Sequence, residues 1–185
     1  MERSVMRIGV IEGATRPGSN TSVVTRWVLD HAPEGVEVVH LPLTEHVLPL
    51  FDWEKHPMAA GRQYPSEAIQ AWADAVNDCD GFVFVVPEYN HGVPGGLKNA
   101  IDWLGSELWG KASAFVGVGA DGGTRAVEQL RLVLANFNQF TIRSQVSLSI
   151  FRDIADGKVQ ASDQKNKDLA GLYQELTATV AQLKG

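Results

Sequence analysis

The chain has 185 residues, of which 44% are hydrophobic, and its formal net charge is −6 with a pI of about 5.3. This length suits a single domain over residues 1–185, and the hydrophobic fraction argues against disorder. An acidic chain without a basic stripe argues against general nucleic-acid binding and against binding to anionic membranes. There is one cysteine, no apolar run long enough for a membrane span and no secretory signal at the start, so we expect a cytoplasmic protein.

Stretches with strand and helix patterns alternate along the chain. In order, they are strand 6–11, helix 19–31, strand 36–41, a helix capped by Ser66 and continuing through Val76, strand 81–86, helix 95–104, strand 113–118, helix 124–136, strand 145–150 and helix 165–183. The third strand is apolar on both faces, which indicates the middle of a parallel sheet, whereas the second and fifth are more polar and suit its edges. Asp156-Gly157 predicts a turn. The pattern predicts an α/β fold with an open, doubly wound sheet.

Ligands of such sheets bind beyond the carboxyl ends of the strands, so function is expected in the loops after the first, third and fourth strands. The first of these loops reads Gly13-Ala14-Thr15-Arg16-Pro17-Gly18-Ser19-Asn20-Thr21-Ser22 and leads into a helix. Its unpaired N–H groups and short hydroxyl side chains suit an anion. It lacks the lysine of a nucleoside-triphosphate loop, which favours a single monophosphate. An ordinary capped turn is the alternative interpretation.

The second loop starts at the end of the buried strand and contains Pro87, Glu88, Tyr89, Asn90, His91 and Gly92. Tyr89 supplies a flat face, and Asn90 and Gly92 can place N–H groups near the heteroatoms of a planar ring. In the alternative interpretation, Pro87 only ends the strand and Tyr89 packs on the surface. The histidines show no metal-ligand spacing, so no metal site is predicted. Glu88 is expected to bond to backbone rather than to act in catalysis.

Two runs in and after this loop carry a family resemblance. Pro87-Glu88-Tyr89-Asn90, followed by Leu97-Lys98-Asn99-Ala100-Ile101-Asp102-Trp103, resembles the signature of the NAD(P)H-dependent FMN reductases, a family that includes quinone-, azo-dye- and chromate-reducing enzymes. The first loop is similar to the phosphate-binding segment of that family, and Gly117 to Ala126 is similar to its glycine-rich segment beside the flavin ring. The likeness spans residues 6–150.

The resemblance implies a flavodoxin-like sheet of order 2-1-3-4-5, non-covalently bound FMN, and NADPH or NADH as co-substrate. The implied FMN-binding residues are Thr15, Arg16, Ser19, Asn20, Thr21 and Ser22 at the phosphate, Pro87, Glu88, Tyr89, Asn90, His91 and Gly92 beside the ring, and Gly119, Gly122 and Gly123 on its other side. Ala14 and Asp121 depart from the family pattern. Ala14 removes one possible phosphate donor, and Asp121 adds a carboxylate in a loop that is often neutral.

The expected reaction moves hydride from the nicotinamide to the flavin and on to a small acceptor, with no side chain required as nucleophile, acid or base. Both substrates would use the same ring face, which predicts ping-pong kinetics. An electron-transfer flavodoxin and a non-enzymatic flavin-binding module are the alternatives. A homodimer or homotetramer is expected, because the family resemblance suggests one and because Trp103 and Trp109 are predicted to be exposed aromatic residues near the ring. Arg16 and Ser19 are expected to face solvent or ligand.

Overall fold

The computed structural model describes residues 5–185. Five strands form one parallel sheet in the order β2-β1-β3-β4-β5. Their bounds are β1 Met6–Glu12, β2 Val36–Pro42, β3 Gly81–Pro87, β4 Ala112–Gly119 and β5 Phe140–Ser149. This confirms the predicted flavodoxin-like order and the edge positions of β2 and β5. Strand order reverses between β1 and β3, and it is beside such a reversal that ligands bind in this class of sheet.

Five α-helices cover both faces of the sheet. They are α1 Asn20–Asp30, α2 Glu67–Asn77, α3 Gly95–Asp102, α4 Thr124–Ala135 and α5 Asp163–Lys184. Alternate residues of β3 point to opposite faces: Phe82 and Phe84 pack with α2, α3 and α4, whereas Val83 and Val85 pack with α1 and α5. All seven residues of β3 are buried, which confirms the prediction that the apolar third strand is central.

Serine side chains cap three of the helices. Ser19, Ser66 and Ser162 stand at the N-caps of α1, α2 and α5, and each accepts a hydrogen bond from a backbone N–H in the first turn. Helix α4 differs, because its N-cap is Gly123 in the left-handed region, which supplies no side-chain cap. The cap of α4 comes from the loop after β3.

Strand β5 begins five residues before the predicted start. Residues Ser113 to Phe115 of β4 pair with Thr141 to Gln145, so β5 carries extra residues in a bulge that interrupts the polar–apolar alternation. The guanidinium of Arg131 donates to the carbonyl of Ile142 at 2.6 Å and lies 4.5 Å from the ring centre of Phe115. The bulge is therefore held by an arginine on α4, which no local pattern reveals.

The chain after β5 forms a short hairpin at the predicted turn. Strands β6 Ile154–Ala155 and β7 Lys158–Val159 pair antiparallel, and Asp156 and Gly157 have φ of 51° and 68°. Two successive positive φ angles are those of a type I′ turn, which matches the twist of a two-residue hairpin.

The second run of the signature anchors the long segment between β2 and α2. Asn99 donates from Nδ2 to the carbonyl of Pro49 at 2.8 Å and accepts from the N–H of Phe51 at 2.9 Å. Trp103 donates from Nε1 to the same carbonyl at 2.8 Å and is only 1% exposed. The reading of Trp103 as an exposed aromatic is therefore wrong, because its indole is a buried clamp on this segment. Trp109 is 51% exposed, but it precedes the amino end of β4, at the opposite edge from the carboxyl ends of the strands.

Candidate functional site

The loops after β1, β3 and β4 meet around one open crevice of about 210 Å³. Its lining residues are Arg16, Ser19, Asn20, Thr21, Pro87, Glu88, Tyr89, Val118, Gly119, Ala120 and Ile150. The three loops singled out in the sequence therefore converge at the carboxyl edge of the sheet. The remaining predicted residues lie in the same loops but outside this lining; they are Thr15, Ser22, Asn90, His91, Gly92, Gly122 and Gly123. Other surface depressions of similar volume, such as one between α1 and β7, lie away from this edge.

Loop one presents backbone N–H donors that lack an acceptor in the described part of the chain. Among residues 5–185, no oxygen accepts from the N–H groups of Thr15, Arg16, Gly18 and Asn20. Gly18 has a φ of 67°, which a residue with a side chain adopts only with strain. These donors stand at the positive end of the α1 dipole, so the loop suits an anion.

Ser19 has a structural role that the sequence did not assign to it. Its side chain is buried, and Oγ accepts from the N–H of Thr21 at 3.2 Å and donates to Thr21 Oγ1 at 2.9 Å. Ser19 lines the crevice, as expected, but its side chain is not open to solvent, because the hydroxyl is the N-cap of α1. Arg16 is exposed, as expected. Thr15 packs against α3, where a Cβ added to Gly96 would lie 2.7 Å from Thr15 Cγ2.

A buried carboxylate lies beneath the first turn of α1. Glu12, the last residue of β1, is 4% exposed; it accepts a short hydrogen bond from the Ser22 hydroxyl and lies 2.9 Å from Nε2 of His40. Burial alone would raise the pKa of Glu12, but hydrogen bonds from His40 and Ser22 hold that pKa below its ordinary value. Glu12 and His40 are not among the residues predicted from the sequence; the signal for Glu12 is an acidic residue that ends an otherwise apolar strand.

Loop two contains a tight turn held by α4. The N–H and carbonyl groups of Tyr89 and Gly92 pair with each other, and the residues between them, Asn90 and His91, have φ of 49° and 72°. The N–H of Gly92, which was expected to face a ring, donates to Tyr89 instead. Gln129 of α4 donates to the carbonyl of His91 at 3.0 Å, which holds the turn against the helix.

Glu88 supplies the cap that α4 lacks. Its Oε2 accepts from the backbone N–H groups of Arg125 at 3.0 Å and Ala126 at 3.4 Å, and its Oε1 lies 2.6 Å from Arg125 Nη1. The prediction that Glu88 bonds to backbone is confirmed. Burial raises the pKa of Glu88, but the bonds to Arg125 and Ala126 outweigh this and lower it overall. Asp121, one of the departures from the family pattern, pairs with Arg125 Nη2 at 2.9 Å and so does not carry an isolated charge.

Loop three is built by close backbone contact. Gly122 and Gly123 have φ of 83° and 70°, and a Cβ added to Gly122 would lie 2.8 Å from Ser147. A Cβ at Gly123 would overlap the backbone at Val118. These two glycines are therefore explained by the shape of the loop, and Gly119 is the one of the three predicted glycines that lines the crevice.

Two observations show that the crevice suits a phosphorylated ring compound such as FMN. The unpaired donors of loop one can surround a phosphate, and Tyr89 on the adjacent wall has a buried hydroxyl with no hydrogen-bond partner among residues 5–185. The same range holds no cluster of three or more acidic, histidine or cysteine side chains that could hold a metal ion. None of its helices is long and apolar enough to cross a membrane.

Comparison with known proteins agrees with this geometry. The family model described as NADPH-dependent FMN reductase matches residues 6–153. The chain belongs to this family. It is 29% identical over 191 residues to the NAD(P)H-dependent FMN reductase ntnL of Nectria sp, covering 96% of this chain and 95% of that one. It is 36% identical over 135 residues to the quinone reductase of Escherichia coli strain K12, covering 70% and 69% of the two chains.

A solved structure shares the fold. The flavoenzyme NAD(P)H:(acceptor) oxidoreductase FerB of Paracoccus denitrificans superposes with a TM-score of 0.75 at 22% identity, over 96% of this chain and 98% of the other. The flavodoxin-like fold and the family membership together make this FMN reductase family member a flavin-dependent oxidoreductase that uses FMN and NAD(P)H. The two alternatives, an electron-transfer flavodoxin and a non-enzymatic module, are set aside.

Proposed function

We propose that the crevice binds FMN and that the protein uses it to transfer hydride from NAD(P)H to a small acceptor such as a quinone, an azo compound, a metal oxyanion or free flavin. The proposal rests on one observation: a loop that suits an anion and a wall that suits a planar ring line the same crevice. The quinone reductase and FMN reductase names of the relatives support an acceptor of this kind.

In this proposal the residues of each loop have distinct roles. The backbone donors of loop one, with Arg16 and Asn20, bind the phosphate. Ser19 and Thr21 hold those donors in place through the cap of α1. Ser22 is committed to Glu12, so we assign it no direct contact with the phosphate.

The walls beside the ring are held by contacts outside the crevice. Pro87, Tyr89 and Gly119 line the crevice and would hold the ring of FMN, and the turn through Asn90 and His91 would lie at its edge. Glu88 fixes this wall to α4, and Gly92, Gly122 and Gly123 give the loops their shape. FMN supplies the hydride chemistry when bound, so no side chain is required to form a bond with substrate.

One exposed ring face would serve both substrates in turn. The nicotinamide must bring its C4 to about 3–3.5 Å from the flavin, and a flat acceptor needs the same position. The crevice is small and open on one side, which supports a shared site rather than two. NAD(P)⁺ therefore leaves before the acceptor binds, which is a ping-pong scheme.

Initial-rate kinetics test this function. After FMN reconstitution, NADPH or NADH should bleach the flavin under anaerobic conditions, and a quinone should restore its colour. Double-reciprocal plots at several quinone concentrations should be parallel, with excess quinone competing against NAD(P)H. No bleaching by either nucleotide would refute the reductase function. Intersecting lines would refute only the shared-face scheme.

Self-association and location remain predictions. With Trp103 buried, the expectation of a homodimer or homotetramer rests on the family resemblance and on exposed apolar residues such as Trp109 and Phe151, which are 51% and 78% exposed. Sedimentation at micromolar concentration tests it, and a monomer would contradict it. A cytoplasmic location is tested by fractionation of cells that express the native gene.

A further inference from the structure

The Glu12 carboxylate is an unusual neighbour for an anion-binding loop. It is 4% exposed and ends β1, the strand from which loop one begins. Its Oε1 accepts from the hydroxyl of Ser22, which is the third residue of α1. The carboxylate therefore lies within about one and a half helical turns, roughly 8 Å, of the free N–H groups of that helix.

This placement means that the helix end already has an anion nearby. The positive end of a helix dipole stabilises nearby negative charge, and Glu12 takes part of that stabilisation. Its hydrogen bonds hold the pKa below the ordinary value, so it is a carboxylate at neutral pH. His40 lies on the other side of the carboxylate, on the edge strand β2, with its side chain 40% exposed.

We infer that Glu12 lowers the affinity of loop one for the FMN phosphate and so favours exchange of the flavin with solution. This inference rests on the proposed function, because it takes loop one to be the phosphate site. Two effects act in the same direction: the carboxylate repels the phosphate, and it withdraws the Ser22 hydroxyl from the set of phosphate donors. A flavin that exchanges is one that can serve as a diffusible product as well as a bound cofactor.

Comparing FMN with riboflavin separates this electrostatic role from a structural one. The two ligands share the ring and the ribityl chain and differ only in the phosphate. Glu12→Gln keeps the shape and the ability to accept from Ser22 but removes the charge. Charges about 8 Å apart at intermediate dielectric change a dissociation constant by roughly threefold to thirtyfold. We therefore expect FMN to bind flavin-free Glu12→Gln tighter by such a factor, with riboflavin binding within about twofold of the parent.

Glu37→Gln is the matched control, because it makes the same change of net charge on β2 beside Arg7, at the opposite end of the sheet. It should leave both affinities unchanged. Glu12→Met removes the charge and also frees the Ser22 hydroxyl, so it provides a second test if the glutamine variant folds poorly, and its selective gain should be at least as large. Binding is measured by quenching of flavin fluorescence on titration, and FMN release by dilution should be slower in both Glu12 variants.

The outcomes are distinct. Selective tightening of FMN supports the inference. Equal changes for FMN and riboflavin, or no change for either, overturn it. A parent protein that binds riboflavin as tightly as FMN has no phosphate in loop one, and that result refutes the proposed binding mode itself.

Discussion

Replacing Glu88 by glutamine tests whether a loop of the site also holds the fold together. Glu88 is the side chain that bonds the first turn of α4, whose own N-cap is a glycine without a side chain. Hydrogen bonds to a charged acceptor contribute about 1.5–3 kcal/mol each, and the second of the two bonds here is long. A glutamine is uncharged, and if its one acceptor oxygen stays on the two backbone N–H groups, its N–H₂ group faces the guanidinium of Arg125, which is itself a donor. We expect Glu88→Gln to lower the free energy of unfolding by about 2–4 kcal/mol.

Urea denaturation followed by circular dichroism measures this change, and the melting temperature should fall by roughly 5–15 °C for a chain of this size. Asp121→Asn is the matched control, because it removes the other, exposed partner of Arg125 without touching the backbone of α4. It should change the free energy of unfolding by less than about 0.5 kcal/mol. A Glu88→Gln variant no less stable than Asp121→Asn would refute the capping role.

The pH dependence gives a second measure of the same contact. Because its contacts lower the pKa of Glu88 below the unfolded value, its stabilisation is present above the ordinary glutamate range, about pH 4.3, and is lost as the pH falls through the lower folded pKa. The parent should therefore lose stability more steeply in acid than Glu88→Gln. If the free energy of unfolding fell equally steeply with acid pH in both proteins, the lowered pKa of Glu88 would be contradicted.

Three further predictions follow from other contacts. Arg16→Ala should weaken FMN binding about tenfold. It should not lower the melting temperature, because Arg16 is exposed, and Arg26→Ala on the exposed face of α1 is the control. Equal FMN affinities of the two variants would exclude Arg16 from the phosphate site. Asn99→Ala should make the segment after β2 more susceptible to limited proteolysis, because it removes both hydrogen bonds that Asn99 makes to that segment and leaves the one from Trp103; an unchanged cleavage pattern would contradict the anchoring role of Asn99. Burial lowers the pKa of Lys111 to about 8. The parent should therefore gain free energy of unfolding relative to Lys111→Met as the pH rises from 8 to about 9.5. A difference between the two proteins that does not change with pH in chemical denaturation would contradict this.

Several features of the site could be predicted because their signals are local. The apolar run of β3 and the alternation of strands and helices indicate a parallel sheet, and a parallel sheet brings the carboxyl ends of its strands to one edge. The composition of loops one and two predicts the walls of the crevice. The sequence also predicts that the Glu88 side chain bonds to backbone groups. The signature run through Asn99 and Trp103 identified the family, but its first physical role here is to clamp the segment at Pro49.

The fold, the three loops and the family could be predicted from the amino-acid sequence, because periodicity, loop composition and motif spacing depend on residues close together in the chain. The partner of each polar group, in contrast, depends on contacts that form when the chain folds. Ser22 donates to Glu12 rather than into the crevice, Glu88 caps a helix 37 residues away, and Arg131 donates to a carbonyl in the bulge of β5. Such partners are chosen by burial, since a polar group removed from water must bond to whatever the folded chain places within reach, and sequence distance does not limit that choice.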